Sequence, residues 1–191
     1  KIFLEGGLRV FPIDSRTIGR MIVLVVLGIL AGLFSATETA YTSVSAVRMR
    51  RFAKRKRTAR MAFRLSANYN QILTTLLIAD NIVNIASATI GTLIFTSLLG
   101  EEVGSVVSTV TVTVILLIFG EITPKLLAKR LPEAFACAAA YPLSVLICLF
   151  LPLVWLFELW KKVVFYVFGL GKKEPRLTEE EFKMLVSDVK E

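Results

Sequence analysis

Three stretches of the chain stay apolar for about the length that a bilayer demands. Residues 21–34 carry no polar side chain at all, residues 71–98 hold one acid among apolar, hydroxyl and amide side chains, and residues 103–119 mix aliphatic with hydroxyl side chains. A helix needs roughly 20 mainly apolar residues to cross, so the pattern predicts spans over about 17–47, 71–98 and 103–130. Polar signals punctuate them. Arg48, Arg50, Arg51, Lys54, Arg55, Lys56, Arg57 and Arg60 follow the first span, Gly100-Glu101-Glu102 separates the second from the third, and Lys125, Lys129 and Arg130 close the third. Basic residues beside a span mark the cytoplasmic side, which puts the N-terminus outside and the chain inside by Arg130. Residues 61–69 are amphipathic and are expected along the inner surface.

The region 132–170 is harder to place. Lys161, Lys162, Lys172, Lys173 and Arg176 argue that its far end is cytoplasmic too, which requires an even number of crossings. Two spans and a turn take roughly 40 residues, and Pro142 and Pro152 interrupt the stretch. The expectation is a partial, re-entrant or interfacial hairpin anchored by Trp155, Trp160, Phe165 and Tyr166. The fold class is therefore an all-α membrane protein with three transmembrane helices plus short re-entrant and juxtamembrane helices. Residues 1–16, with Pro12, read as a leader, 17–171 as the membrane domain, and 172–191 as the start of a cytosolic linker. In that linker Thr178 and Glu181 have the spacing of a capping box. The opening Lys1 reads as a trimmed start, and no signal peptide is evident.

Composition supports the membrane reading and removes alternatives. Of 191 residues, 55% are hydrophobic, and the mean hydropathy of +0.68 is too high for a soluble domain. The net charge of +8 sits at helix ends, where it reads as topology and attraction to anionic lipid. No aromatic residues interleave the basic run to stack bases, so nucleic acid is not an expected partner. The chain has no His, which takes away the commonest metal ligand and general base. Cys137 and Cys148 have neither metal-ligand nor redox spacing and read as packing residues. Any bound metal should be one that prefers oxygen.

Candidate chemistry lies where polar groups enter the apolar runs. Glu121 follows the run 103–119, and an ionised carboxylate at that depth marks a functional site by default. Pro124 has no N–H, so in an α-helix the carbonyl of Gly120 loses its partner. A freed carbonyl and a carboxylate are then adjacent hard oxygens, which membrane protein tolerates only where protein, water or an ion satisfies them. Asp80 and Asn84 lie one turn apart on the second span, flanked by Asn81 and with Ser87 beyond. Ser35, Glu38, Thr39 and Thr42 share a face of the first. Two readings stand: interhelical hydrogen bonding that holds helices together, or an oxygen site for a cation. Glu38 suits a capping role and a ligand role equally. Mg²⁺ requires a compact octahedron of oxygens, and Na⁺ accepts much the same donors.

Ser35-Ala-Thr-Glu-Thr-Ala-Tyr-Thr-Ser43, Ala79-Asp-Asn-Ile-Val-Asn84 and Gly120-Glu-Ile-Thr-Pro-Lys125, in this order, resemble the membrane domain of the CorC/CNNM (cyclin-M) magnesium transporters. The resemblance covers about 17–171 and is specific because three motifs fall in register. It implies a homodimer with three membrane helices per subunit, multi-pass in the plasma membrane with a cytoplasmic C-terminus. It also implies a largely dehydrated Mg²⁺ in an inward-facing cavity, moved by alternating access with Na⁺ as the driving ion. The implied metal ligands are Ser35, Asn84, Gly120 and Glu121, with Asp80 where many relatives carry Asn. Family members continue into paired cytosolic CBS nucleotide-binding modules, to which 172–191 would lead. The competing expectation is a membrane anchor or Mg²⁺ sensor for such a cytosolic part. A membrane-embedded hydrolase is disfavoured, since no Ser/Lys or paired-carboxylate catalytic set is evident, and no enzyme activity is expected.

Overall fold

A computed structural model of the chain describes residues 14–54 and 56–168. The leader up to residue 13, the lysines and arginine of 172–176 and the capping box at Thr178 lie outside the described residues. Every regular element described is helical: α1 (Ser15–Ser43), α2 (Ala46–Ala53), α3 (Arg57–Ser66), α4 (Tyr69–Leu99), α5 (Glu101–Ile115), a π-helical segment (Leu116–Ile122), α6 (Thr123–Arg130) and α7 (Pro132–Val167). The chain divides into two compact units after Phe150.

Among the described residues, four helices are long and apolar enough to cross a membrane: Ser15–Ser43, Tyr69–Leu99, Glu101–Arg130 and Pro132–Val167, of 29, 31, 30 and 36 residues. The first three correspond to the predicted spans. The fourth corrects the expectation of a broken hairpin, because Pro142 and Pro152 lie inside one continuous helix. The proline penalty of about 3 kcal/mol is calibrated in helices surrounded by water. Membrane helices tolerate proline because neighbouring groups satisfy the freed carbonyls again. Pro132 itself opens α7, where its fixed φ and missing N–H cost least. In the second unit Trp155, Trp160 and Tyr166 are strongly exposed, and Lys161 pairs with Glu158 at 3.3 Å.

The first unit is built inside out relative to a soluble protein. Its exposed side chains are large and apolar, among them Val25, Ile29, Val106, Val110, Val145 and Leu149, whereas Ser35, Thr37, Thr75, Ser87 and Ser108 are buried. Lipid is as apolar as leucine, so large side chains gain little by turning inward, and small residues let helices approach closely. The buried hydroxyls are mostly satisfied within their own helix. Thr75 donates to the carbonyl of Gln71 and Ser87 to that of Val83, each at 2.8 Å.

The packing follows from those small residues. α1 lies along α4, α6 and the π segment, and α4 lies along α5. Where α4 meets α5, Gly91 faces Val112, and Gly104 faces the backbone of Phe95 and Thr96. At the end of the bundle that bears the basic run, Ala36, Ala40, Ala59, Ala62, Ala128, Ala136 and Ala140 form a core with Tyr41, Met49, Ile72, Leu76 and Leu143. The Tyr41 hydroxyl donates to the carbonyl of Ala136 at 3.3 Å, and Arg48 pairs with Glu133 at 3.3 Å. The short α2 and α3 close this end, while the middle of the bundle holds the polar motifs.

The contact between α4 and α5 can be tested at Gly104. A Cβ there would lie 2.6 Å from both the Phe95 carbonyl oxygen and the Thr96 Cα, and backbone cannot move aside. Gly104→Val should cost about 1–3 kcal/mol, read as a lower melting temperature in detergent. Gly19→Ala, with nothing within 4 Å of its added Cβ, should melt at the wild-type temperature or slightly above it.

Candidate cation site

Leu116 to Ile122 leave the α-register. The Thr123 N–H reaches back to the carbonyl of Ile118, an i→i+5 bond. A π segment inserts a residue into a helical turn and is frequently found at functional sites. It changes the expectation for Gly120. If the i→i+5 register is carried to Pro124, the missing N–H belongs to the carbonyl of Phe119, not to that of Gly120. A ligand role for the Gly120 carbonyl therefore no longer follows from Pro124 alone. Nothing in the hydrophobic periodicity signals this, because a single π turn is too short to shift the pattern; the close pairing of Gly120 with Pro124 is the only hint.

The π segment fits against α1 through small residues. Gly120 is buried, and a Cβ placed on it would meet that of Ala31 at 3.3 Å. A Cβ on Gly32 would lie 3.2 Å from the Pro124 ring and 3.4 Å from the Phe119 carbonyl oxygen. Glycine at 32 thus lets the backbone of the π segment and the Pro124 ring approach α1 closely. The Ser35 hydroxyl, one turn further on, donates to the backbone carbonyl of Glu121 at 3.3 Å.

On the side of the π segment towards α4 lies a pocket of about 240 Å³, lined by Asp80, Asn84, Gly120 and Glu121 together with Ala88, Val112, Thr113, Leu116 and Leu117. Asp80 sits roughly 16 Å along the helix axis from Tyr69, given 1.5 Å per residue, so the pocket is well inside the span. Asn84 Nδ2 donates to Asp80 Oδ2 at 3.0 Å. Since a carboxylate only accepts, this bond orients the amide and leaves Asn84 Oδ1 available as an acceptor. Glu121 Oε1 accepts from Lys125 Nζ at 2.8 Å, and the same ammonium lies 3.8 Å from Glu38 Oε2.

Four of the five predicted residues therefore meet at one pocket. Ser35 does not line it; it holds the backbone of Glu121 from behind. Asn81 turns away, exposed, with its Nδ2 donating to the Leu77 carbonyl at 2.7 Å. Ser87 is buried and satisfied within α4. Sequence reasoning missed the link of Lys125 to both Glu121 and Glu38, although the i,i+4 spacing of Glu121 and Lys125 was visible. Thr113, the polar member of the opposite wall, had no signal beyond a run of hydroxyl residues. Carboxylate and carbonyl oxygens with an oriented amide make a hard-oxygen donor set suited to Mg²⁺, Ca²⁺ or Na⁺. Across the π segment lies a larger apolar cavity of about 620 Å³ bordered by Gly28, Gly32, Phe119 and Pro124. Val112 and Leu116 belong to the walls of both.

These motifs can now be set beside known proteins. The model of the cyclin M transmembrane N-terminal domain matches residues 21–191. The chain belongs to this family. It is 30% identical over 173 residues to a UPF0053 protein of Haemophilus influenzae, covering 89% of this chain and 41% of that protein. It is 29% identical over 159 residues to the UPF0053 inner membrane protein YfjD of Escherichia coli, covering 81% and 37%. To the UPF0053 protein sll1254 of Synechocystis it is 33% identical over 168 residues, covering 87% and 46%. The chain spans less than half the length of these curated relatives. This cyclin M domain is accordingly a helical, multi-pass membrane domain.

The fit of α1 against the π segment generates a prediction. Gly32→Val should push on Pro124 and Phe119, destabilise by about 1–3 kcal/mol, and speed hydrogen exchange at the amides of residues 119–123. Unchanged exchange there would mean that α1 does not hold the segment.

Proposed function

We propose that this domain binds Mg²⁺, as the transported ion, in the pocket between α4 and the π segment and moves it across the membrane by alternating access. The observation that carries the reading is the convergence of Asp80, Asn84, Gly120 and Glu121 on one pocket inside the membrane span. Membership of the cyclin M family supports it. Glu121 and Asp80 supply the negative charge, and Asn84 Oδ1 and the Gly120 carbonyl replace water. Ser35 positions the Glu121 backbone, and a hydroxyl so close to the turn is also a candidate ligand.

Na⁺ coupling, a homodimeric assembly, residence in the plasma membrane with the basic run of 48–60 on the cytoplasmic face, and regulation through cytosolic CBS modules belong to this proposal. A pocket lined by hard oxygens suits Na⁺ as well as Mg²⁺, which is compatible with exchange of the two at overlapping sites. α7 is long enough for a crossing that the three-span topology did not contain, and Lys161 and Lys162 at its far end argue for a cytoplasmic end.

The test is flux. In liposomes loaded with a Mg²⁺-sensitive dye, the reconstituted protein should carry Mg²⁺, and Glu121→Ala and Asn84→Ala should each reduce the rate to background while eluting from gel filtration as wild type does. Wild-type flux in both variants would remove the site. No flux in the wild-type protein would favour a membrane anchor or sensor.

A further inference from the structure

The proposed site already holds a cation of the protein's own. Lys125 Nζ bonds to Glu121 Oε1 at 2.8 Å and lies 3.8 Å from Glu38 Oε2, so one ammonium stands between carboxylates from two helices. One of the two, Glu121, lines the pocket; the other, on α1, does not. All three side chains are between a third and half exposed. An ordinary i,i+4 helix pair has a single acceptor and no second carboxylate waiting beside it.

We propose that Lys125 is a tethered counter-cation which a divalent ion must displace from Glu121 and which moves onto Glu38 while the ion is bound. The inference rests on the reading of Glu121 as a ligand of the transported ion. A divalent ion bound to Glu121 competes with the ammonium for the same carboxylate charge, and two such cations a few ångströms apart repel strongly at the effective dielectric of a protein. The lysine stem has freely rotating bonds and a compact charged head, so the shift from Oε1 of one acid to Oε2 of the other needs no movement of backbone. Glu38 then fixes the energy of the displaced state, and through it the apparent affinity of the site. When Lys125 swings back, it competes with the ion for Glu121 and favours release, so Lys125 and Glu38 are positioning residues.

Titration calorimetry with MgCl₂ on the purified protein tests this. Lys125→Gln removes the competitor and should lower the Kd about two- to fivefold, the scale of a partly exposed ion pair. Glu38→Gln removes the alternative partner and should raise the Kd by a similar factor. The double variant should bind like Lys125→Gln alone, because Glu38 acts only through the lysine. Lys125→Arg, which keeps the charge, should stay near the wild-type Kd. A purely structural pair would lower the melting temperature without tightening binding. If Lys125→Gln binds no more tightly than wild type, or if Glu38→Gln weakens binding equally in the Lys125→Gln background, the toggle is wrong. Should wild type bind, with binding lost in Glu121→Ala, that failure touches this inference alone. Should wild type show no saturable binding, the cation site falls with it.

Discussion

A carboxylate set within a membrane span has to be satisfied, and the satisfaction of Glu121 organises the first unit of this protein. An acid at that depth costs at least a few kcal/mol unless it finds partners. Here its backbone carbonyl accepts from Ser35 on α1 and its side chain from Lys125 on α6, while the pocket beside it is shared with Asp80 and Asn84 on α4. Three spans thus have polar reasons to meet at one level. Everything else in the unit can be lipid-facing or small.

The way these helices come together follows from the same solvent. Hydrophobic burial cannot drive association in lipid, so contact depends on close packing of small residues. Gly32 and Ala31 receive the π segment, Gly91 on α4 receives Val112 of α5, Gly104 on α5 receives the backbone of Phe95 and Thr96 on α4, and a cluster of alanines closes the basic end. The π segment is the local consequence of combining Gly120 and Pro124 in a helix that has to stay intact across the membrane. It lies between a polar and an apolar cavity whose walls share Val112 and Leu116. A turn with an irregular hydrogen-bond register is a natural place for a change of shape, because part of its α-helical bonding is already given up.

Much of this was legible in the residues. Three spans, the basic run and the polar positions Asp80, Asn84, Gly120 and Glu121 follow from hydropathy, charge and helical spacing, which are local properties, whereas their meeting at one site was implied by the family resemblance. The family was legible as well, from three motifs in register. What escaped depends on context. Pro142 and Pro152 look like breaks only when proline is judged by its behaviour in water, and both lie within the helical residues of α7. The π register is invisible to periodicity, so the carbonyl that Pro124 deprives of a donor cannot be named by α-helical counting alone. Ser35 stands among the ligands that the family resemblance implies; its hydroxyl donates to the Glu121 backbone carbonyl and does not line the pocket. The joint hold of Lys125 on Glu121 and Glu38 required knowing which helices are neighbours.

The central claim is that the oxygens of α4 and the π segment enclose a small hard cation. Manganese is the direct probe, since it takes similar oxygen ligands and scatters anomalously. Diffraction from crystals grown with MnCl₂ should show one anomalous peak between the Glu121 carboxylate and Asn84 Oδ1, with oxygens at roughly 2.0–2.3 Å, and the peak should fade as MgCl₂ is added in excess. A pocket without anomalous density at saturating Mn²⁺, or a peak elsewhere that leaves Glu121 paired with Lys125 alone, would contradict the account.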